Sequence, residues 1–226
     1  MAEEEWEGVA ETLQRATGAD DAPVSAFELA ALCGLRLVPS RGTAASLSGD
    51  EIRYPLAARP VRQHGLIAHE VGHWALEWTG EEDSEPAARY VAGALMLPRR
   101  VFDRDLRETW NVGELQDKHV NASAEMIAIR IVQLRSAVAT VFDEGKMRRR
   151  YLSAELAGRV PRRPSDYEYE LAAEALASGK TARGSGLCHA LPVFDGPYRR
   201  VVVVCESSAV VDRYMEIGRA SCRERV

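Results

Sequence analysis

The chain has 226 residues, of which 46% are hydrophobic, and a net charge of −5. That is enough apolar material for one substantial domain and a smaller second one, at roughly 100–200 residues per domain. The acidic balance excludes a protein that is basic throughout and built for nucleic acid or an anionic membrane, and it leaves room only for a local basic face.

No stretch approaches the ~20 consecutive apolar residues of a membrane-spanning helix. The acidic start, Met1-Ala-Glu-Glu-Glu-Trp6, is the opposite of a basic signal-peptide start, so a cytoplasmic protein with no membrane partner is expected. The four cysteines (Cys33, Cys188, Cys205, Cys222) form no CxxC pair and read as reduced, mostly buried thiols, which argues against a cysteine-based zinc site.

In chain order, residues 2–17 predict an acidic helix. Ser25 is placed to cap a helix over 26–33 that Gly34 ends. Residues 35–38, 45–47 and 51–54 predict three strands of a small antiparallel sheet, with a turn at Ser48-Gly49-Asp50. From Val61 to Trp78 the apolar spacing turns helical, and Gly80 stops the run. After the acidic loop Glu81-Glu82-Asp83, a helix capped by Ser84 or Asp83 accommodates Pro86 in its first turn and ends at Pro98. Helices are predicted over 102–109, 112–120 and 123–136, then a hairpin of 138–142 and 147–152. The basic, proline-rich link 159–164 is the predicted domain boundary. A helix over 167–177, a Gly-rich loop over 179–186 and an apolar strand over 201–205 follow.

The chemistry concentrates in His69-Glu70-Val71-Gly72-His73. On a helix, residues four apart lie on one face, so both imidazoles can reach one metal ion. Glu70 lies beside that position, suited to accept a proton from a metal-bound water. Gly72 costs about 1 kcal/mol in a helix interior relative to Ala, which points to close backbone packing there. The spacing leaves a third ligand open among Glu77, Glu81, Glu82, Asp83, Glu85 and His119. Glu85 has the best placement, because it opens a helix expected to pack back on the motif. His64, Tyr90 and His119 are candidate oxyanion donors. Residues 51–54, with Tyr54, are a candidate sheet edge for an extended substrate.

The stretch Arg62-Gln-His-Gly-Leu-Ile-Ala-His-Glu-Val-Gly-His-Trp74, followed by Glu85-Pro-Ala-Ala-Arg-Tyr-Val-Ala-Gly-Ala-Leu-Met-Leu-Pro98, resembles the ImmA/IrrE metallo-endopeptidases. The pairing of the two motifs carries the resemblance, which extends more weakly from the N-terminal helix to about Leu152. It implies His69 and His73 as ligands, Glu70 as catalytic acid/base, Glu85 as third ligand and one Zn2+ per chain. It also implies a protein substrate, a transcriptional repressor whose cleavage releases stress-response or mobile-element genes. Arg89 stands where Asn or Asp is usual, and Val91 replaces the usual Phe.

The expected fold is α+β. Residues 1–100 form a mostly helical zincin-like peptidase core, and 101–158 a helix-turn-helix-like subdomain with the hairpin. Residues 159–215 form an incomplete α/β domain, and 216–226 a non-native tail that resembles translated adapter sequence. Two rival readings stay open. One is DNA binding through 112–136, with Lys118, Arg130 and Arg135 near phosphates, although the apolar circumference of the second helix favours a packing role. The other is a metal-binding regulatory module that cleaves nothing. Cys188, His189 and Cys205 match no ligand spacing and read as buried.

Overall fold

The computed structural model describes residues 2–19, 24–194 and 199–208. The expected non-native tail, and the end of the 159–215 segment, lie outside them. The chain divides into two compact units: residues 1–107 with 116–123, and 108–115 with 124–226.

In the first unit, helix α1 (Ala2–Thr17) and helix α2 (Ala26–Leu32) precede strands β1 (Arg36–Ser40), β2 (Ser46–Ser48) and β3 (Glu51–Pro55). The long helix α3 (Pro60–Thr79) then leads to α4 (Glu85–Met96) and α5 (Arg99–Glu108). The buried faces of α3 (Ile67, Ala68, Val71, Ala75, Leu76) and of α4 (Ala87, Ala88, Val91, Leu95) follow helical spacing. On α1, Val9, Ala10 and Leu13 complete the core. Gln14 Nε2 there donates to the Ala94 carbonyl oxygen at 2.9 Å, tying α1 to α4.

Ser25 holds the N-cap position of α2, but its side chain makes no capping hydrogen bond. The first amide of that helix, at Ala26, donates instead to His64 Nδ1 at 3.2 Å. An imidazole acceptor from α3 thus satisfies one of the unpaired amides at this helix start.

The small sheet has the order β1-β3-β2. β2 and β3 pair antiparallel around the predicted turn, whereas β1 joins β3 in parallel. Residues 41–45 carry the chain from one edge to the other, so β3 becomes the central strand. The candidate edge over 51–54 is therefore corrected: both backbone edges of β3 are already paired, and only β1 and β2 are edges.

The second unit holds most of α6 (Val112–Lys118), α7 (Ala124–Leu134) and a five-stranded sheet. Strands β4 (Ala137–Asp143), β5 (Lys146–Leu152), β6 (Ala182–Arg183), β7 (Cys188–Phe194) and β8 (Arg199–Glu206) take the order β5-β4-β8-β7-β6, all antiparallel. Helix α8 (Asp166–Ser178) begins with a capping box, Ser165 and Glu168 bonding each other's backbone amides. It packs Leu171, Ala172 and Ala175 against Val138, Phe142, Val201 and Val203. The alternate residues Ala139, Val141, Val202 and Val204 are buried as well, and α7 packs on β4 and β8. A sheet covered on both faces explains the unbroken apolar run at 201–205.

The predicted hairpin thus belongs to the same sheet as β7 and β8. The basic link 159–164 runs inside this unit and does not bound it. Within the expected Gly-rich loop, β6 is a short strand, and β7 follows it. Cys188 and Cys205, direct partners in the β7–β8 register, are joined by a disulfide, which corrects the expectation of reduced thiols. In α7, Arg130 is fully buried, which removes one of the three cations that a DNA-binding reading required.

Candidate metal centre

Helix α3 starts with Pro60 in its first turn and ends at Gly80, whose φ of 76° is the left-handed conformation that reverses the chain. Five residues later, at Glu85, α4 begins, capped by the Ser84 hydroxyl, which accepts from the Ala87 amide. Glu85 is thereby held in the first turn of α4, where a carboxylate is favoured by the helix dipole.

The two helices approach closely because of Gly72. A Cβ there would meet the Ala88 carbonyl oxygen at 2.5 Å. The close backbone packing expected at this glycine is what the structure contains.

Three side chains converge as a result. His69 Nε2 and His73 Nε2 are 3.2 Å apart. Glu85 Oε2 is 3.6 Å from the first, and Glu85 Oε1 is 3.6 Å from the second. The ligating atoms all lie within 4.8 Å of one another, and no other such group of His, Cys, Asp and Glu occurs among the described residues. Tetrahedral ligands held 2.0–2.1 Å from zinc stand about 3.3 Å apart. The spacing and the donor set of two imidazoles and a carboxylate fit such an ion.

Burial pushes the His69 imidazole below its ordinary value, and the charge of His73 adds to that, while Glu85 and Glu70 act in the opposite sense. The neutral imidazole, the form that ligates metals, is favoured at His69. Glu70 is half-buried on the same helix. Of the ligand alternatives left open by spacing, Glu85 joins the pair, whereas Glu77, Glu81 and Glu82 are exposed on α3 and in the loop after it. Asp83 takes a different place: its Oδ1 lies 2.6 Å from His73 Nδ1, on the far side of that ring. The sequence offered Asp83 as a helix cap or a third ligand, not as a partner of the His73 ring; the sharp reversal at Gly80 is the signal that could have brought it to α3. Arg89, one turn after Glu85, pairs with Glu85 Oε2 at 3.0 Å.

The candidate oxyanion and substrate residues have partners of their own. Tyr90 donates its hydroxyl to Glu7 Oε2 at 3.0 Å and packs against Trp6, so it anchors α1. Five residues beyond Glu85, it points about 140° away around α4. His119 is buried, with Nε2 3.0 Å from Asp105 and its ring edge-on to Phe102. His64 caps α2, and its ring and that of Tyr54 are bridged by Phe27, at 5.1 and 5.3 Å.

The α3–α4 hairpin thus presents two histidines and a glutamate to one point, a donor set that could hold a metal ion. Residues 47–132 match the family model described as the IrrE N-terminal-like domain, Peptidase_M78, and the ImmA/IrrE resemblance is shown for that stretch. Among solved structures, a Mycobacterium tuberculosis transcriptional regulator superposes with a TM-score of 0.67 at 15% identity, covering 90% of this chain and 76% of its own; that likeness concerns the fold. No curated protein matches the chain. No helix among the described residues is long and apolar enough to cross a membrane.

Proposed function

We propose that this chain is a cytoplasmic zinc-dependent endopeptidase whose substrate is a protein, a transcriptional repressor of a stress response. The observation that carries the reading is the convergence of His69, His73 and Glu85, with Glu70 next to the first ligand on the same helix. The match to the Peptidase_M78 family supports the peptidase class, and the resemblance to the repressor-cleaving family motivates the substrate.

His69, His73 and Glu85 would hold the ion. Bound there, zinc would supply Lewis acidity and lower the pKa of a water to about 7. Glu70 accepts the proton as the nucleophile forms and returns it to the leaving amine. Burial around His69 keeps its lone pair available as a ligand. A substrate that adds as a strand would join β2 or β1, the edges of the small sheet.

The test compares cells expressing the wild type with cells expressing Glu70→Gln, by labelling new protein N-termini. New termini in a transcriptional regulator, present with the wild type and absent with the variant, are expected. Regulation that persists with Glu70→Gln and generates no new termini would sink the catalytic reading and favour a metal-binding module that cleaves nothing.

A further inference from the structure

The proposed centre has a feature that its ligand set does not include. His73 presents Nε2 to His69 and Glu85, while its other ring nitrogen, Nδ1, faces Asp83 Oδ1 at 2.6 Å. A carboxylate at that distance accepts a hydrogen bond only if Nδ1 carries the proton. Protonation at Nδ1 leaves the Nε2 lone pair free and aimed at the other two ligands. The opposite tautomer would place a proton where the metal must sit.

We infer that Asp83 is a positioning residue for the metal centre: it fixes His73 in the Nδ1–H tautomer and locks the ring plane, and so raises the affinity of the site for zinc without touching the ion. The inference rests on the metallopeptidase reading proposed above.

Three observations support it. The Asp83 carboxylate is bonded to the nitrogen that points away from the cluster, so it cannot reach the ion through the contact it makes. Its place in the chain is set on both sides, by the reversal at Gly80 and by the Ser84 cap one residue later. A loop pinned at both ends loses little entropy in holding that carboxylate still. Finally, the His73 side chain is only 19% exposed, whereas that of Asp83 is 50% exposed. An exposed ion pair adds little to folding stability. The contribution expected of Asp83 is therefore to metal affinity, where hydrogen-bonded carboxylates on ligating histidines typically account for 10–100-fold.

The experiment measures the zinc dissociation constant of the full chain by competition with a chelator of known affinity. It compares wild type, Asp83→Ala, Asp83→Asn and His73→Ala. Asp83→Ala is expected to weaken zinc binding about 10–100-fold, and Asp83→Asn less, because an amide oxygen still accepts from Nδ1–H. Thermal unfolding of the metal-free proteins is expected to coincide, and the visible spectrum of cobalt-substituted Asp83→Ala should keep the wild-type shape. Zinc affinity of Asp83→Ala within twofold of wild type would overturn the inference. So would complete loss of binding equal to that of His73→Ala, which would make Asp83 a ligand. A second reading needs no metal: ring 15N–1H spectra of the metal-free chain should show His73 protonated at Nδ1 in wild type and redistributed toward Nε2 in Asp83→Ala. A wild-type His73 protonated at Nε2 refutes the role of Asp83. A wild type that binds no zinc but has His73 protonated at Nδ1 refutes the peptidase reading and leaves the carboxylate–imidazole contact standing.

Discussion

Glu70 and the two histidines beside it have separable roles. Glu70→Gln should retain zinc and lose activity by about 10²–10⁴-fold, the usual worth of a positioned acid/base group. His73→Ala should lose both, and metal analysis of the purified variants distinguishes the two. His119 belongs to stability. Burial, the largest influence on it, pushes its pKa below 6.5, against the opposing pull of Asp105. The unfolded chain therefore binds more protons as the pH drops below about 6.5, and the folded state loses stability on acidification. Urea midpoints should fall between pH 7 and pH 5. In His119→Gln, whose amide can still donate to Asp105, that dependence should be shallower. His64 and His189 are shifted downward by burial as well, so part of the slope should remain.

At the scale of elements, the α3–α4 contact decides whether the ligands meet. Gly72→Ala gains helix propensity of about 1 kcal/mol, yet its methyl collides with backbone, which cannot rotate aside as a side chain can. We expect a net loss of about 1–3 kcal/mol of stability, as for overpacked cores, together with weaker zinc binding as Glu85 is displaced. Chemical unfolding and chelator competition would test both. Much of this was legible in the sequence. The periodicity of Ile67, Val71 and Trp74, the stop at Gly80 and the glycine between the histidines located α3 and its close neighbour. Strand order was not legible: nothing in residues 36–55 says that β1 pairs in parallel and leaves β3 in the middle, because apolar alternation specifies a strand and not its partners. Nor was the role of Tyr90, whose hydroxyl is committed to Glu7, 83 positions away in the chain. Residues 188–194 went unrecognised as a strand, having a Pro and a His among their apolar residues and no bounding turn as clear as that of the hairpin.

For the molecule as a whole, a ligand that binds only the folded state stabilises it by mass action. Zinc at about a hundred times its dissociation constant should add about 2.7 kcal/mol. Calorimetric scans with and without zinc should show a rise in Tm for the wild type and none for His73→Ala. The ligands also come from consecutive elements: His69 and His73 from the middle of α3, and Glu85 from the first turn of α4, after a connection of only a few residues. An ion shared between them fastens the helical hairpin near its loop end. Removing it frees the opening turn of α4, whose first amides have no partner within the helix and rest on the Ser84 cap. Amide hydrogen exchange should therefore report metal loss first in that opening turn, as fraying that begins at Glu85 and fades before the Gly72–Ala88 contact.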